Sequence, residues 1–231
     1  MLEVSGLDAY YGEAQALHGV SITVKEGEVV TLVGRNGAGK TTLLRSIMGL
    51  HPGVSGAITL RGEDLTTLPP HQRARRGLGW VQDDRGIYAS LNVEENLTLA
   101  PVTNTDKSWS MEQVYQAFPV LADRRRAPGT TLSGGEQQML AVARVLRTGA
   151  AMLLLDEPSE GLAPVIVQRI RDILLEVKAQ GTTVLLVEQN VKFASTVADR
   201  HYVLAEGVVM RDLDNEEFTS RQDELLEYLG M

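Results

Sequence analysis

Three short runs along the chain, residues 29–33, 152–155 and 184–187, are apolar almost throughout. A strand with one wet face alternates apolar and polar positions. Unbroken runs of this length instead predict strands buried on both faces, as in a parallel sheet covered by helices. Further β-rich runs at 20–24, 57–60 and 202–204, and a lead-in to the third run at Thr183, complete an α/β pattern. The first sixty residues read differently. Alternation there, with Gly19, Gly27, Gly53 and Gly56 as turn signals, predicts antiparallel strands at one side. From about Leu91 to Thr131 the β-rich runs stop. Helical patterns at 93–99 and 111–118, around a loop at 101–106, predict a mainly helical insertion. The acidic, amphipathic tail from Asp214 to Leu229 predicts one closing surface helix, anchored by Phe218, Leu225 and Leu229. The expectation is a single domain over 1–231, with its core at about 1–90 and 132–231 and a helical subdomain at about 91–131.

At 231 residues the chain is long enough for one sizeable core with an insertion. Its net charge of −8 argues against a nucleic-acid partner, because replacing counterions along a phosphate backbone takes clustered lysine and arginine. The triplet Arg124-Arg125-Arg126 is too short to reverse that and reads as a solvated helix end. No run approaches the roughly 20 apolar residues of a membrane span, so any membrane role is expected to pass through a partner. The start, Met1-Leu2-Glu3-Val4, is strand-like and has no basic or cleavable leader pattern, which predicts a cytosolic protein. With no cysteine, disulfides and thiolate metal sites are excluded.

Gly34-Arg35-Asn36-Gly37-Ala38-Gly39-Lys40-Thr41 satisfies G-x-x-x-x-G-K-[ST], directly after a predicted strand and at the start of a predicted helix, 41–48. The glycines let successive backbone N–H groups face phosphates at a helix N-terminus, where the helix dipole also favours negative charge. Lys40 is expected to reach the β- and γ-phosphates of ATP and the Thr41 hydroxyl to ligate Mg²⁺, with Thr42 completing the nucleotide-binding run. The buried run 152–155 leads into Asp156-Glu157, two acids at a strand's C-terminal end. Asp156 suits the Mg²⁺ shell and Glu157 suits polarising an attacking water. Finally, Leu132-Ser133-Gly134-Gly135-Glu136 precedes a helical pattern at 137–146, and Ser133 with Glu136 forms a capping box. Two glycines in a first helical turn lose roughly 1 kcal/mol each against alanine. A phosphate approaching that backbone would account for both.

The order of these three elements resembles the nucleotide-binding subunit of ABC transporters, over essentially the whole chain. That resemblance implies a P-loop NTPase core with an antiparallel β part and a helical insertion. It also implies a head-to-tail dimer in which ATP lies between the phosphate loop of one subunit and the Leu132 to Glu136 signature of the other. Tyr11 would stack on adenine, and Ser159 to Leu162 would form the loop that meets the second subunit. Leu68-Pro69-Pro70-His71, Arg73-Ala74-Arg75-Arg76-Gly77, Val93-Glu94-Glu95-Asn96-Leu97, Gly135-Glu136-Gln137-Gln138-Met139-Leu140, Gly161-Leu162-Ala163-Pro164 and Val187-Glu188-Gln189-Asn190 narrow the match. Together they resemble the smaller ATPase of branched-chain amino acid importers, the LivF type, with urea and amide importer ATPases similar.

The resemblance implies transmembrane permeases, a second ATPase subunit and, indirectly, a substrate-binding protein as partners, at the inner face of the membrane. In two places the chain departs from the general pattern. Gln189 stands where most such ATPases carry a histidine near the γ-phosphate, and His201 lies too far on to replace it, reading as a sheet-end residue. The lid position near the attacking water falls on Asp83, with Gln82 one place earlier, and either could serve. Ile87 and Tyr88 would face the permease or else pack within the insertion.

Overall fold

The computed structural model describes residues 1–228, so Leu229 lies outside the described residues. Along them run β1 (Leu2–Tyr11), β2 (Ala14–Val24), β3 (Val29–Val33), α1 (Lys40–Ile47), β4 (Val54–Leu60), β5 (Glu63–Asp64), α2 (Pro70–Arg75) and β6 (Leu78–Val81). The insertion carries α3 (Val93–Leu99), α4 (Met111–Ala117), α5 (Pro119–Asp123) and a 3₁₀ turn at Gly129–Thr131. Then follow α6 (Gly134–Arg147), β7 (Met152–Asp156), α7 (Pro164–Ala179), β8 (Thr183–Glu188), α8 (Val191–Val197), β9 (Arg200–Ala205), β10 (Val208–Asp214), α9 (Asn215–Ser220) and α10 (Gln222–Tyr228).

The main sheet runs β10-β9-β3-β8-β7-β6, parallel except for β10 at its edge. All three apolar runs lie in it, fully buried. Successive side chains point to opposite faces, and the strands sort accordingly. Val29, Leu153, Leu155, Val184 and Leu186 join the core beneath α6, α7 and the insertion helices. Val30, Leu32, Leu154, Leu185 and Val187 join the core shared with α1 and the antiparallel sheet β2-β1-β4-β5. Each of these buried aliphatic side chains contributes about 1.5–3 kcal/mol relative to exposure. The two cores hold the sheet rigid beneath its loops.

Several sequence expectations need correction. Gly19 and Gly56 lie inside β2 and β4 rather than in turns, near shifts in the pairing register of β1 with its two neighbours. The tail forms two short helices, broken at Arg221, rather than one. Phe218 and Leu225 are buried in it as expected. Strand β6 escaped notice because it is four residues long and contains Gly79, where a Cβ would stand 2.8 Å from the Ala150 Cβ. Strand β10 is mostly exposed, so it has no apolar pattern to read. Arg124 to Arg126 are exposed at the end of α5 as expected, and Arg124 Nε also lies 3.5 Å from Glu136 Oε1.

Helix α1, which begins at Lys40, is locked at its far end by Arg73. This guanidinium is 4% exposed and donates to the carbonyls of Leu68 (2.7 Å), Ser46 (2.8 Å), Ile47 (2.7 Å) and Thr66 (2.9 Å). Ser46 and Ile47 end α1, where helical carbonyls lack partners within the helix. Substituting Arg73→Ala strands buried acceptors and should lower stability by about 3 kcal/mol. Arg73→Lys should recover little, because an ammonium cannot span the same fork of carbonyls. Urea denaturation of the three proteins measures both effects.

Candidate active site

Strands β3, β8, β7 and β6 are successive neighbours and parallel, so their carboxyl ends share one edge of the sheet. The segments leaving that edge are the phosphate loop after β3, Gln189 after β8, Glu157 after β7 and Gln82-Asp83 after β6. Open α/β sheets bind ligands at this edge.

Gly39 caps α1 at φ 102°, and a Cβ there would stand 2.7 Å from Leu17 Cδ2, so only glycine fits. Gly34 and Ala38 are buried, while Arg35, Asn36 and Gly37 face outward. They line a cleft of about 780 Å³ with His18 and Glu206. Lys40 is buried, and its Nζ donates to the Gly34 carbonyl (2.8 Å) and the Arg35 carbonyl (3.0 Å) and pairs with Glu157 Oε1 at 2.9 Å. Thr41 donates its hydroxyl to Asp156 Oδ1 at 3.2 Å. Tyr11, at the end of β1, is half exposed. Its hydroxyl lies 3.3 Å from Thr42 Oγ1, and its ring meets His51 edge-on at 4.5 Å. The structure therefore joins Tyr11, the phosphate loop, Asp156 and Glu157 in one constellation.

Carboxylates crowd this edge. Burial pushes the Asp156 carboxyl up to about 6; the Thr41 hydroxyl opposes the rise, and the charges of Asp83 and Glu157 add to it. Asp156 Oδ2 is buried without a hydrogen-bond partner. A buried, half-satisfied carboxylate beside a threonine hydroxyl is a hard-oxygen donor set of the kind Mg²⁺ takes. Glu157 occupies the left-handed region at φ 46°, which for an L-residue costs about 1–2 kcal/mol, and its N–H is held by the Val187 carbonyl at 3.0 Å. Glu160 is raised first by its hydrogen bond with Glu157 and then by that residue's charge. Burial likewise pushes Glu188 up to about 7, against hydrogen bonds from Ser159 and Asn190. Asp83 lies close enough for its charge to raise both Asp156 and Glu160. Gln82 instead lines a separate cleft of about 510 Å³ with His71, Trp80, Tyr88 and Arg144.

Ser133 and Glu136 make the expected capping box, with the Glu136 N–H reaching Ser133 Oγ at 3.4 Å and the Ser133 N–H reaching Glu136 Oε2 at 2.7 Å. Leu132 is buried. Gly135 has a reason within the chain, in addition to the phosphate expected to approach both glycines. A Cβ on Gly135 would stand 2.9 Å from Ile166 Cγ1, and one on Gly134 would stand 3.3 Å from the Arg85 guanidinium. Among the described residues no hydrogen bond joins this element to the phosphate loop.

Ile87 packs within the insertion against Gly129, whereas Tyr88 is half exposed beneath the Arg144 guanidinium, 5.3 Å from the ring centre. His201, expected at a sheet end, is the second residue of β9. It pairs with Thr31 in the middle of β3, stacks on Phe218 at 3.7 Å and is kept neutral by burial, which pushes it down to about 4. Sequence reasoning missed the involvement of His51, Arg85, Arg144 and Glu188. Of these, only Glu188 carried a readable signal, being a charged residue at the end of an otherwise apolar strand.

The family model for ABC transporters matches residues 17–160. This chain belongs to the ABC transporter family. It is similar to a high-affinity branched-chain amino acid transport ATP-binding protein, BraG, of Pseudomonas aeruginosa, with 46% identity over 92% of each chain. A probable branched-chain amino acid transport ATP-binding protein, LivF, of Archaeoglobus fulgidus is 39% identical over 99% of this chain and 95% of that protein. A nucleotide-free ATP-binding cassette from an ABC transporter has the same fold, with a TM-score of 0.83, 27% identity and coverage of 100% of this chain and 98% of that one. As an ABC ATPase the chain binds nucleotide, and ATP hydrolysis coupled to transport is the activity expected of it.

Because the folded chain keeps a proton on Glu188 up to about pH 7, and an unperturbed glutamate releases it near 4.5, this residue favours folding at low pH. That contribution is lost as pH rises through about 7. Melting curves should therefore show Glu188→Gln gaining stability relative to the parent between pH 5 and pH 8.

Proposed function

We propose that this ABC ATPase energises uptake of branched-chain amino acids or closely related small polar solutes through a separate permease. The observation that carries the reading is the Lys40–Glu157–Asp156–Thr41 constellation on a chain similar over its length to two branched-chain amino acid transport ATP-binding proteins. No helix among the described residues is long and apolar enough to cross a membrane; the chain's likeness to transport ATP-binding proteins supports action at the inner face of the membrane through partners.

ATP binds with adenine on Tyr11 and its phosphates in the N–H cradle of residues 34–41. Thr41 and Asp156 would hold Mg²⁺, which would supply positive charge against the phosphates. The phosphates compete for Lys40 and so free Glu157 from its ion pair. Glu157 then accepts a proton from the attacking water, with Gln189 donating a hydrogen bond towards the γ-phosphate. For the lid residue, proximity to Asp156 and Glu160 favours Asp83 over Gln82. Ser133, Gly134 and Gly135 serve the ATP of a second ATPase subunit, a role supported by their separation from the phosphate loop of their own chain. The cleft bearing Tyr88, Trp80 and Gln82 offers the permease a partly apolar seat next to the lid. ATP has higher affinity for the closed dimer than for the open one, and that difference drives the permease.

Lys40→Ala should abolish nucleotide binding; tight binding of a fluorescent ATP analogue by that variant would sink the phosphate-loop assignment. Glu157→Gln should bind ATP yet lose turnover by at least about 100-fold and accumulate as a closed dimer on gel filtration. Used as bait in gently solubilised native membranes, the ATP-trapped Glu157→Gln protein should bring down permease subunits and a second ATPase. Recovery of ribosomal or nucleic-acid factors instead would remove the transport reading and leave the ATPase chemistry standing.

A further inference from the structure

One buried carboxylate takes no part in the chemistry above. Glu188 ends β8 directly before Gln189 and is 1% exposed. Its Oε1 accepts the Ser159 N–H at 3.1 Å, and its Oε2 accepts the Asn190 N–H at 3.2 Å. Among the described residues no lysine, arginine or histidine forms an ion pair with it. A carboxylate without a counter-charge is an expensive group to bury. Its two acceptor oxygens explain the choice. Glutamine offers one oxygen and would turn its amide donors towards the second N–H.

The two N–H groups belong to different loops. Ser159, itself buried, opens the 159–162 loop, whereas Asn190 follows Gln189 and caps α8 by accepting the Phe193 N–H at 3.0 Å. One side chain thus holds both loops from beneath and leaves Gln189, half-buried, between its own two anchored neighbours. Glu157 belongs to the same assembly, since its N–H is bonded to the carbonyl of Val187, the residue before Glu188.

We infer that Glu188 is a positioning residue for hydrolysis, tying the 159–162 loop to Gln189 so that docking of the second ATPase subunit sets the Gln189 side chain at the γ-phosphate. The inference rests on the reading above, in which that loop meets the second subunit and Gln189 acts on ATP. Rigid backbone bonds carry the coupling, because neither loop can shift without stretching a bond to a carboxylate that the strand holds in place.

The test is steady-state ATP turnover at pH 8, where Glu188 is ionised, by the full chain with the subunits that co-purify with it, for Glu188→Gln, Glu188→Asp, Gln189→Ala and the double variant Glu188→Gln/Gln189→Ala. Loss of one charge-assisted hydrogen bond should lower kcat of Glu188→Gln by about tenfold or more while KM for ATP stays within about twofold. Glu188→Asp, which keeps both acceptor oxygens, should retain more turnover than Glu188→Gln, although glutamine is nearer in size. A role in packing alone predicts the opposite order. The double variant should be no slower than Gln189→Ala, because residues acting as one unit are not additive. Additive losses, or an unchanged kcat in Glu188→Gln with Gln189→Ala impaired, would overturn the coupling and spare the role of Gln189. Full turnover by Gln189→Ala would remove that role and the coupling with it.

Discussion

Parallel pairing of β3, β8, β7 and β6 is the constraint on which the site depends. It obliges the carboxyl ends of four neighbouring strands to share one edge, so the segments carrying residues 40, 83, 156–157 and 189 leave the sheet side by side although the chain separates them widely. The constraint holds only while the sheet is rigid, and rigidity comes from burying both faces. Alternate side chains of the same strands feed two different cores. Arg73 extends the same stiffness to α1 by closing its last carbonyls, so that Lys40 and Thr41 project from a helix fixed at both ends.

The edge is also electrostatically unbalanced. Asp83, Asp156, Glu157, Glu160 and Glu188 gather around one lysine, and Asp156, Glu160 and Glu188 are all pushed above their ordinary carboxylate range. Bringing like charges together while stripping them of water favours anything that supplies a positive charge or a donated proton. That makes the site receptive to positive charge beside Asp156, whose Oδ2 has no partner among the described residues. It also explains why Lys40 is so fully engaged, with two carbonyls and one carboxylate on a single ammonium. On the proposed reading, a nucleotide displaces part of that arrangement and so frees Glu157 from Lys40.

Legibility followed physics. The phosphate loop, its helix and the Asp156-Glu157 pair could be read because each combines a fixed spacing with a buried strand that predicts where it lies. The capping box at Ser133 could be read because it is local. The role of its glycines could not. Gly135 answers to Ile166, thirty-one positions away, and Gly134 lies beside the Arg85 side chain, so both neighbours are tertiary facts. The choice between Gln82 and Asp83 was open for a similar reason. Alternation along β6 puts neighbours on opposite sides of the sheet, but a four-residue strand containing glycine gave no register from which to say which side faces Asp156. His201 and Arg73 were opaque in the same way, since nothing adjacent in sequence announces a stacked phenylalanine or a fork of carbonyls.

The segment between the lid and the insertion shows how a signal could cross the subunit. Arg144, on α6, donates to the Gly86 carbonyl at 2.6 Å and the Arg85 carbonyl at 3.1 Å and covers the Tyr88 ring. Arg85 reaches Gln137 in the first turns of the same helix at 3.4 Å and lies beside Gly134. Residues 85–88 are therefore fastened at two points to the helix that begins with Gly134. A push on the exposed Tyr88 cannot be absorbed locally, because backbone carbonyls and a guanidinium connect it to that helix. It passes to α6, whose inner face is packed with the main sheet in one core, and so reaches both the Ser133 end and the strands that lead to Lys40 and Glu157. Polar contacts and one shared core thus join residues 85–88, the Ser133 element and the main sheet, so that a load at Tyr88 is carried along the whole of α6 rather than dissipated in its own loop.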